Sequence, residues 1–168
     1  MIFLTVGTHE QQFNRIIEYM DNLKRDGIIE DDIIMQIGFS TYKPQFCSWE
    51  KLFSYEDMKK NVEDAKIVIT HGGPSSFIMP LQIGKIPIVV PRQYKFNEHV
   101  NNHQLDFCKI VEKRNQNIIV VEEINQLKDV ILNYTQIIGS MPKEMTSNNA
   151  KFCKGINEVA QQLLEKRH

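Results

Sequence analysis

The stretch from residue 67 to residue 91, IVITHGGPSSFIMPLQIGKIPIVVP, constrains the fold of this chain more than any other segment. Two apolar runs, Ile67–Thr70 and Ile86–Val90, flank a Gly-rich turn at 71–74 and a short apolar helix that ends at Gly84. Short runs rich in Ile and Val are typical of parallel strands buried on both faces. The stretch therefore predicts strand, turn, helix and strand, a single right-handed βαβ unit.

The turn of this unit has the features of an anion site. It lies between the carboxyl end of a strand and the amino end of a helix, where unpaired N–H groups and the helix dipole attract negative charge. Gly72 and Gly73 would let the backbone approach a ligand closely, and Ser75 and Ser76 would cap the helix while offering hydroxyl groups. A packing turn in any other α/β protein is the alternative, and these residues alone do not decide between the two.

The rest of the chain repeats the alternation of strand and helix, which predicts an α/β fold with a Rossmann-like parallel sheet flanked by helices. Thr8 is the predicted N-cap of the first helix, with Glu10 and Gln11 in its first turn. The aromatic-rich segment 41–55 is predicted to be a strand and a loop used for packing, with base stacking as the alternative. The further predicted strands are Ile2–Val6, Ile33–Ile37 and Asn117–Val121, and the further predicted helices are Glu56–Ala65, one starting near Glu98, Glu122–Tyr134 and Ala150–Glu165, with a connection at 139–149.

Composition limits the function classes. A chain of 168 residues fits one domain, and its formal net charge of −1 gives no support to nucleic-acid binding. The three cysteines, an odd number without CxxC spacing, indicate reduced and mostly buried thiols of a cytoplasmic protein. We find neither an apolar run of the ~18–20 residues that span a membrane nor the pattern of a signal peptide at residues 1–10.

Four histidines, His9, His71, His99 and His103, fall in loops or helix starts that should share one edge of the sheet. The spacing of His99 and His103 would place both imidazoles on one helical face, as in some zinc sites. No third ligand is evident, so we favour hydrogen bonding to a polar ligand or to neighbouring loops and expect no metal. The GxSxG, GxGxxG and Walker A patterns are missing, which leaves nucleotide-sugar chemistry open.

Four segments together carry a family resemblance. VGTHEQQFNR at 6–15, THGGPSSF at 70–77, IPIVVPR at 86–92 and EHVNNHQ at 98–104 resemble the donor-binding half of GT-B glycosyltransferases of the family-28 type. Nearest in kind are the small soluble subunits of two-part enzymes that build capsular and exopolysaccharides. More distant are the soluble subunit of the N-acetylglucosaminyltransferase of N-glycan assembly and the carboxyl half of the lipid II-forming transferase. The similarity covers about residues 1–135.

The resemblance implies which residues would hold a UDP-sugar donor. The diphosphate would lie at the first turn, and the HGG turn would complete the diphosphate and nucleoside pocket. The sugar would lie at the HQ pair. His9 is a candidate catalytic group, although the family places the catalytic base on the partner chain. The implied donor-binding residues are Gly7, Thr8, His71, Gly72, Gly73, Ser75, Ser76, Glu98, Asn102, His103 and Gln104. One departure is Met79, which occupies the position of a ribose-binding Glu five residues before Gly84.

The resemblance also implies a partner. One such domain supplies the donor site, so the acceptor site would come from a membrane-associated subunit that recruits this chain to the inner face of the plasma membrane. The implied activity is transfer of a sugar, galactose in this subgroup, from UDP to a lipid-linked polysaccharide repeat unit. Helix 150–165 would dock on that partner or pack on its own sheet. The alternatives are a non-catalytic sugar-nucleotide-binding regulatory subunit and an unrelated flavodoxin-like or receiver domain.

Overall fold

The computed structural model describes residues 1–142 as a parallel sheet with helices on both faces. No helix among these residues is long and apolar enough to cross a membrane. The predicted helix 150–165 and Cys153 lie outside the described residues. The strands are β1 (Ile2–Thr5), β2 (Ile33–Gln36), β3 (Ser48–Glu50), β4 (Ile67–His71), β5 (Ile88–Val90) and β6 (Ile119–Val120). The helices are α1 (Asn14–Arg25), α2 (Tyr55–Asp64), α3 (Pro74–Gln82), α4 (His103–Asn115), α5 (Leu127–Leu132) and α6 (Tyr134–Ser140), with 3₁₀ turns at Tyr94–Phe96 and Ile124–Gln126.

The order of the strands, β3-β2-β1-β4-β5-β6, determines where a ligand can bind. β1 pairs in parallel with β2 on one side and with β4 on the other. The chain winds outward in one direction from β1 and in the opposite direction from β4. In open sheets of this kind, the crevice at the carboxyl ends of these two strands is the usual binding position. The predicted Rossmann-like parallel sheet is confirmed.

The core consists of apolar layers on the two faces of the sheet. Successive residues of β1 point to opposite faces, as the pleat of a strand requires. Ile2 and Leu4 join a large cluster with α1, α5 and α6, and Phe3 packs with α2. A third cluster beneath α3 and α4 contains Phe77, Val89, Cys108 and Ile118. Cys47 and Cys108 are buried free thiols, as the sequence indicates.

Three predicted helix boundaries are wrong. α1 begins at Asn14, and Phe13, not Thr8, is its N-cap. The loop before α1 is longer than predicted. Its end is held by a residue from outside the helix, because the Phe13 N–H donates to Ser40 Oγ at 3.0 Å. α4 begins at His103 and not near Glu98, whose side chain is buried in an ion pair. The predicted helix 122–134 is a 3₁₀ turn and two short helices, and α6 extends through the start of the predicted 139–149 connection.

The aromatic segment 41–55 is anchored by a buried carboxylate on α1. Asp21 is 0% exposed and accepts hydrogen bonds from the Tyr42 hydroxyl at 2.8 Å and from the N–H groups of Gln45, Phe46 and Cys47 at 2.9, 2.8 and 3.1 Å. The loop leads directly into β3, which confirms a strand in this segment. Burial alone would raise the pKa of the Asp21 carboxyl, but these donors outweigh burial and hold that pKa below its usual value.

We predict that Asp21→Asn lowers the free energy of unfolding by about 1–3 kcal/mol at pH 7, because an amide cannot accept all four hydrogen bonds. A carboxyl whose folded-state pKa is lowered stabilises the protein above its unfolded-state pKa and loses that effect as the pH falls. The difference between variant and parent should therefore shrink below about pH 4. Urea titrations from pH 3 to pH 7 measure this difference in the free energy of unfolding. Asp26→Asn is the control, since Asp26 forms only an exposed ion pair with Arg25. An equal loss in both variants would contradict the anchoring role.

Candidate functional site

The loop after β1 and the turn after β4 meet across the switch point at the imidazole of His71. A Cβ atom on Gly7 would lie 2.3 Å from His71 Nε2, and the φ angle of Gly7 is +73°. A Cβ atom on Gly73 would lie 2.2 Å from His71 Cε1. Both positions need glycine because the ring occupies the space between the two turns.

His71 holds the Gly-rich turn through both ring nitrogens. Its Nδ1 accepts the N–H of Gly73 at 3.0 Å, and its Nε2 lies 2.9 Å from Ser76 Oγ. A backbone N–H only donates, so Nδ1 carries the lone pair and Nε2 donates its hydrogen to the serine hydroxyl. Burial, and then the charge of Arg92, lowers the pKa of His71 to about 4. The ring is therefore neutral at pH 7, and it braces the turn from inside.

Gly72 brings the turn against α4. Its N–H donates to Gln104 Oε1 at 3.1 Å, and the N–H of Arg92 donates to the same oxygen at 3.2 Å. A Cβ atom on Gly72 would lie 2.9 Å from Gln104 Cβ and 3.0 Å from Cys108 Sγ. The N–H groups of both turn glycines thus have acceptors within the protein. The glycines make room for the protein's own side chains.

The amino end of α3 still offers a donor to a ligand. Gly73 is the N-cap without a side-chain cap bond and Pro74 is the first residue, so Ser75 and Ser76 lie inside the helix and do not cap it as predicted. Pro74 has no N–H, and the N–H of Ser76 donates to the Gly73 carbonyl. Ser75 is exposed, and its N–H finds no partner among residues 1–142.

A fully buried arginine lies behind these turns. Arg92 is 0% exposed, and its Nη1 and Nη2 donate to the carbonyls of Val6, Gln11, Gln12 and Glu98 over 2.8 to 3.2 Å. Burial lowers the pKa of Arg92 to about 10, and nearby Glu98 opposes that shift, so the group stays charged at pH 7. Sequence reasoning missed this residue. The available signal was a lone arginine directly after an apolar strand and a proline.

Glu98 and Asn102 organise the neighbouring loop. The buried Glu98 carboxylate accepts from Arg15 Nε at 2.8 Å, from Arg15 Nη2 at 2.9 Å and from the Gln93 N–H at 3.1 Å. Asn102 Oδ1 accepts the N–H of Tyr94 at 2.9 Å. The structure places Glu98 beside the site with its carboxylate turned to these donors, and the resemblance gave no hint of its pairing with Arg15.

The four predicted histidines do gather at one edge. His9 stacks on His99, with ring centroids 4.9 Å apart, and His103 is exposed as the first residue of α4. His99 precedes that helix, so the expected shared helical face of His99 and His103 is wrong. Within residues 1–142 no three His, Cys, Asp or Glu side chains group as metal ligands would. The expectation of a metal-free site stays a prediction.

The residue at the position of the ribose-binding Glu, Met79, faces the core. Met79 lies on α3, is half-buried, and packs against the cluster that Phe3 forms with α2. The exposed polar residues at this edge are Thr8, Ser75 and His103. The buried guanidinium of Arg92 and the neutral imidazole of His71 lie behind them, and this arrangement suits a ligand with several negative oxygens.

Comparison with known proteins shows the family to which this fold belongs. Residues 1–163 match the glycosyltransferase family 28 C-terminal domain. The human UDP-N-acetylglucosamine transferase subunit ALG13 is 33% identical over 121 residues, which cover 67% of this chain and 10% of that protein. The mouse protein of the same name is 29% identical over 120 residues, 66% of this chain and 10% of that protein.

The chain thus spans about a tenth of the length of these curated relatives. Among solved structures, the glycotransferase of kitacinnamycin superposes with a TM-score of 0.51 at 14% identity, over 89% of this chain and 35% of that one, and supports the fold alone. Since the family match extends over nearly the whole chain, this protein belongs to the glycosyltransferase family 28 C-terminal domain family.

Proposed function

We propose that this domain binds a UDP-sugar as the donor-binding subunit of a glycosyltransferase. The observation that carries the proposal is the edge at the switch point, where Gly7 and Gly73 both pack against the His71 ring and the N–H of Ser75, at the start of α3, has no partner among residues 1–142. The charged Arg92 lies behind both. This combination would stabilise a diphosphate as it departs, because preorganised donors and a fixed positive charge act where negative charge develops.

The sugar is a hexose in this proposal. The capsular and exopolysaccharide resemblance favours galactose, and the name of the mammalian relatives makes N-acetylglucosamine the second candidate. Gln104 is the residue that we expect to read the sugar. Its Oε1 is occupied by two backbone N–H groups, which directs the amide nitrogen away from them as the group that can contact a ligand.

A second chain completes the active site in this proposal. Transfer needs a group that activates the acceptor hydroxyl on the side opposite the diphosphate, and the site residues gather on the diphosphate side. Among residues 1–142 His9 is the candidate for that group, and its Nε2 is held by Gln11 Oε1 at 2.9 Å. The relatives are named as subunits, which also supports a partner. We propose that the partner is membrane-associated and holds a lipid-linked saccharide at the inner face of the plasma membrane.

The engagement of His9 also supports a second candidate function. If no group on this chain takes part in transfer, the domain would bind a sugar nucleotide and stimulate a partner that contains a full active site. Measuring transfer by the partner alone separates the two functions. A partner with substantial activity of its own supports the regulatory role.

We predict that sugar transfer requires both chains. Purified chain, candidate partner and the two together are incubated with UDP-galactose or UDP-N-acetylglucosamine and a lipid-linked acceptor, and product is followed by chromatography. Only the mixture should give product above background. Full turnover by this chain alone would refute the proposal that two chains are needed.

We predict that EDTA leaves the rate of sugar transfer by the mixture unchanged, because the start of α3 and the backbone would supply the hydrogen-bond donors for the diphosphate. Loss of activity on chelation, restored by Mn²⁺ or Mg²⁺, would refute metal independence.

We predict that Gly73→Val abolishes UDP binding, because a Cβ atom there meets His71 and displaces the ring that braces the turn. Gly139→Ala is the control, since its Cβ atom would have no neighbour within 4 Å and its helix lies outside the site. Calorimetry gives the affinities and circular dichroism checks the fold. Unchanged UDP affinity in a folded Gly73→Val protein would remove the site from this turn.

We predict that Gln104→Glu changes the preference among UDP-sugars while UDP affinity stays within about threefold, a change of less than 1 kcal/mol. The variant keeps the acceptor for Gly72 and Arg92 and removes the amide donor. Gln104→Ala is the companion variant, because it also removes the acceptor and should weaken UDP binding and thermal stability. Competition between UDP-galactose and UDP-N-acetylglucosamine provides the readout. An unchanged preference in Gln104→Glu would show that the residue does not read the sugar.

A further inference from the structure

The stacked rings of His9 and His99 are a feature that the proposed function does not use. The ring centroids lie 4.9 Å apart and the planes differ by 17°. His9 comes from the loop after β1, and His99 comes from the loop before α4. Two imidazoles from distant parts of the chain therefore lie in contact beside the Gly7 turn.

The hydrogen bonds of the pair assign its protons. His9 Nε2 lies 2.9 Å from Gln11 Oε1, an amide oxygen that only accepts, so this nitrogen carries the hydrogen. Nδ1 of His9 then carries a lone pair that has no hydrogen-bond partner among the described residues. His99 Nδ1 accepts the N–H of Asn101 at 3.4 Å, so protonation there would cost that contact. The open basic atom of the pair is Nδ1 of His9.

The surroundings of His99 oppose a positive charge on its ring. The charged Arg92 from the loop after β5 and His103 from α4 act on His99, and His71 from β4 lies close enough to both rings to be affected by them. Burial, and then His9, Arg92 and His103, lowers the pKa of His99. The carboxylate of Glu98 is buried against Arg15 of α1, which leaves the exposed Glu10, next to His9, as the nearby acid in the same loop.

We propose that His9 takes up a proton when a nucleoside diphosphate binds, and that His99 is the positioning residue that holds its ring by stacking. The inference rests on the proposed function, which places the diphosphate at the Gly7 turn. The proton comes from solvent and joins Nδ1 of His9, and no bond other than N–H forms. A bound diphosphate compensates the charge of Arg92 and of the new imidazolium, and the neutral ring of His99 presents its face to that cation.

Calorimetry in buffers of different ionisation enthalpy tests the proposal directly, because the slope of binding enthalpy against buffer enthalpy counts the protons taken up. UDP-galactose and UDP-N-acetylglucosamine are the probes, since the terminal phosphate of UDP titrates near pH 6 itself. The full chain should show uptake at pH 7. Its affinity for both UDP-sugars should rise as the pH falls from 8 to 6, because binding that takes up a proton is favoured at lower pH.

Variants separate the roles of the two rings. His9→Gln should bind without proton uptake and with little dependence on pH. His99→Phe keeps an aromatic face and should retain the uptake, and His99→Ala should reduce it. Lys59→Gln, on the exposed surface of α2, is the control and should retain the uptake. Thermal unfolding confirms that each variant is folded.

The outcomes distinguish this inference from the proposed function. Binding of a UDP-sugar with an enthalpy independent of buffer would overturn the inference and leave the proposed function standing. Uptake that persists in His9→Gln or disappears in Lys59→Gln would also overturn it. Failure of the unaltered chain to bind any UDP-sugar would overturn the proposed function itself.

Discussion

The buried guanidinium of Arg92 is the interaction on which the carboxyl edge of this sheet depends. Four carbonyl groups from the end of β1, the loop before α1 and the loop before α4 converge on it. The hydrogen bonds of Nη1 and Nη2 offset the cost of burying this charge, while Nε has no partner among residues 1–142, so these loops must lie where their carbonyls can reach the two terminal nitrogens. The ring of Phe13 stacks on it with the guanidinium carbon 4.9 Å from the ring centroid. The positive charge of Arg92 is thus part of the folded structure and does not depend on a bound ligand.

His71 has the corresponding structural role in the Gly-rich turn. Its two nitrogens serve Gly73 and Ser76, and its ring fills the space beside Gly7. A Gly-rich turn at a helix start is often interpreted as a cradle for phosphate. Here the glycines admit an imidazole and the amide of Gln104, and only the outer surface of that assembly is open. The turn is rigid for this reason, and a rigid turn presents its remaining donors in a fixed geometry.

Sequence reasoning succeeded where the signal was local. The Ile/Val runs predicted the strands β1, β2 and β4, and the four separated motifs predicted the family. It failed at the starts of α1 and α4, where distant partners decide. Asn14 begins α1 because Ser40, 27 residues along, accepts the N–H of Phe13. Glu98 lies outside α4 because Arg15, 83 residues away, binds its carboxylate. No window of sequence around either residue contains that information.

The sequence by itself determined the α/β class and indicated the edge that gathers His9, His71, His99 and His103, because strands that alternate with helices run parallel and end at one edge of the sheet. The order of the strands came from the structure. It also determined that position 79 lacks the family carboxylate. Tertiary structure alone decided which side chains face a ligand and which face the protein. Gly72, Gly73 and Glu98 are satisfied internally, and Arg92 is sealed behind them. The physical reason is that buried donors and charges must be paired, and their partners come from loops that only the folded sheet brings together.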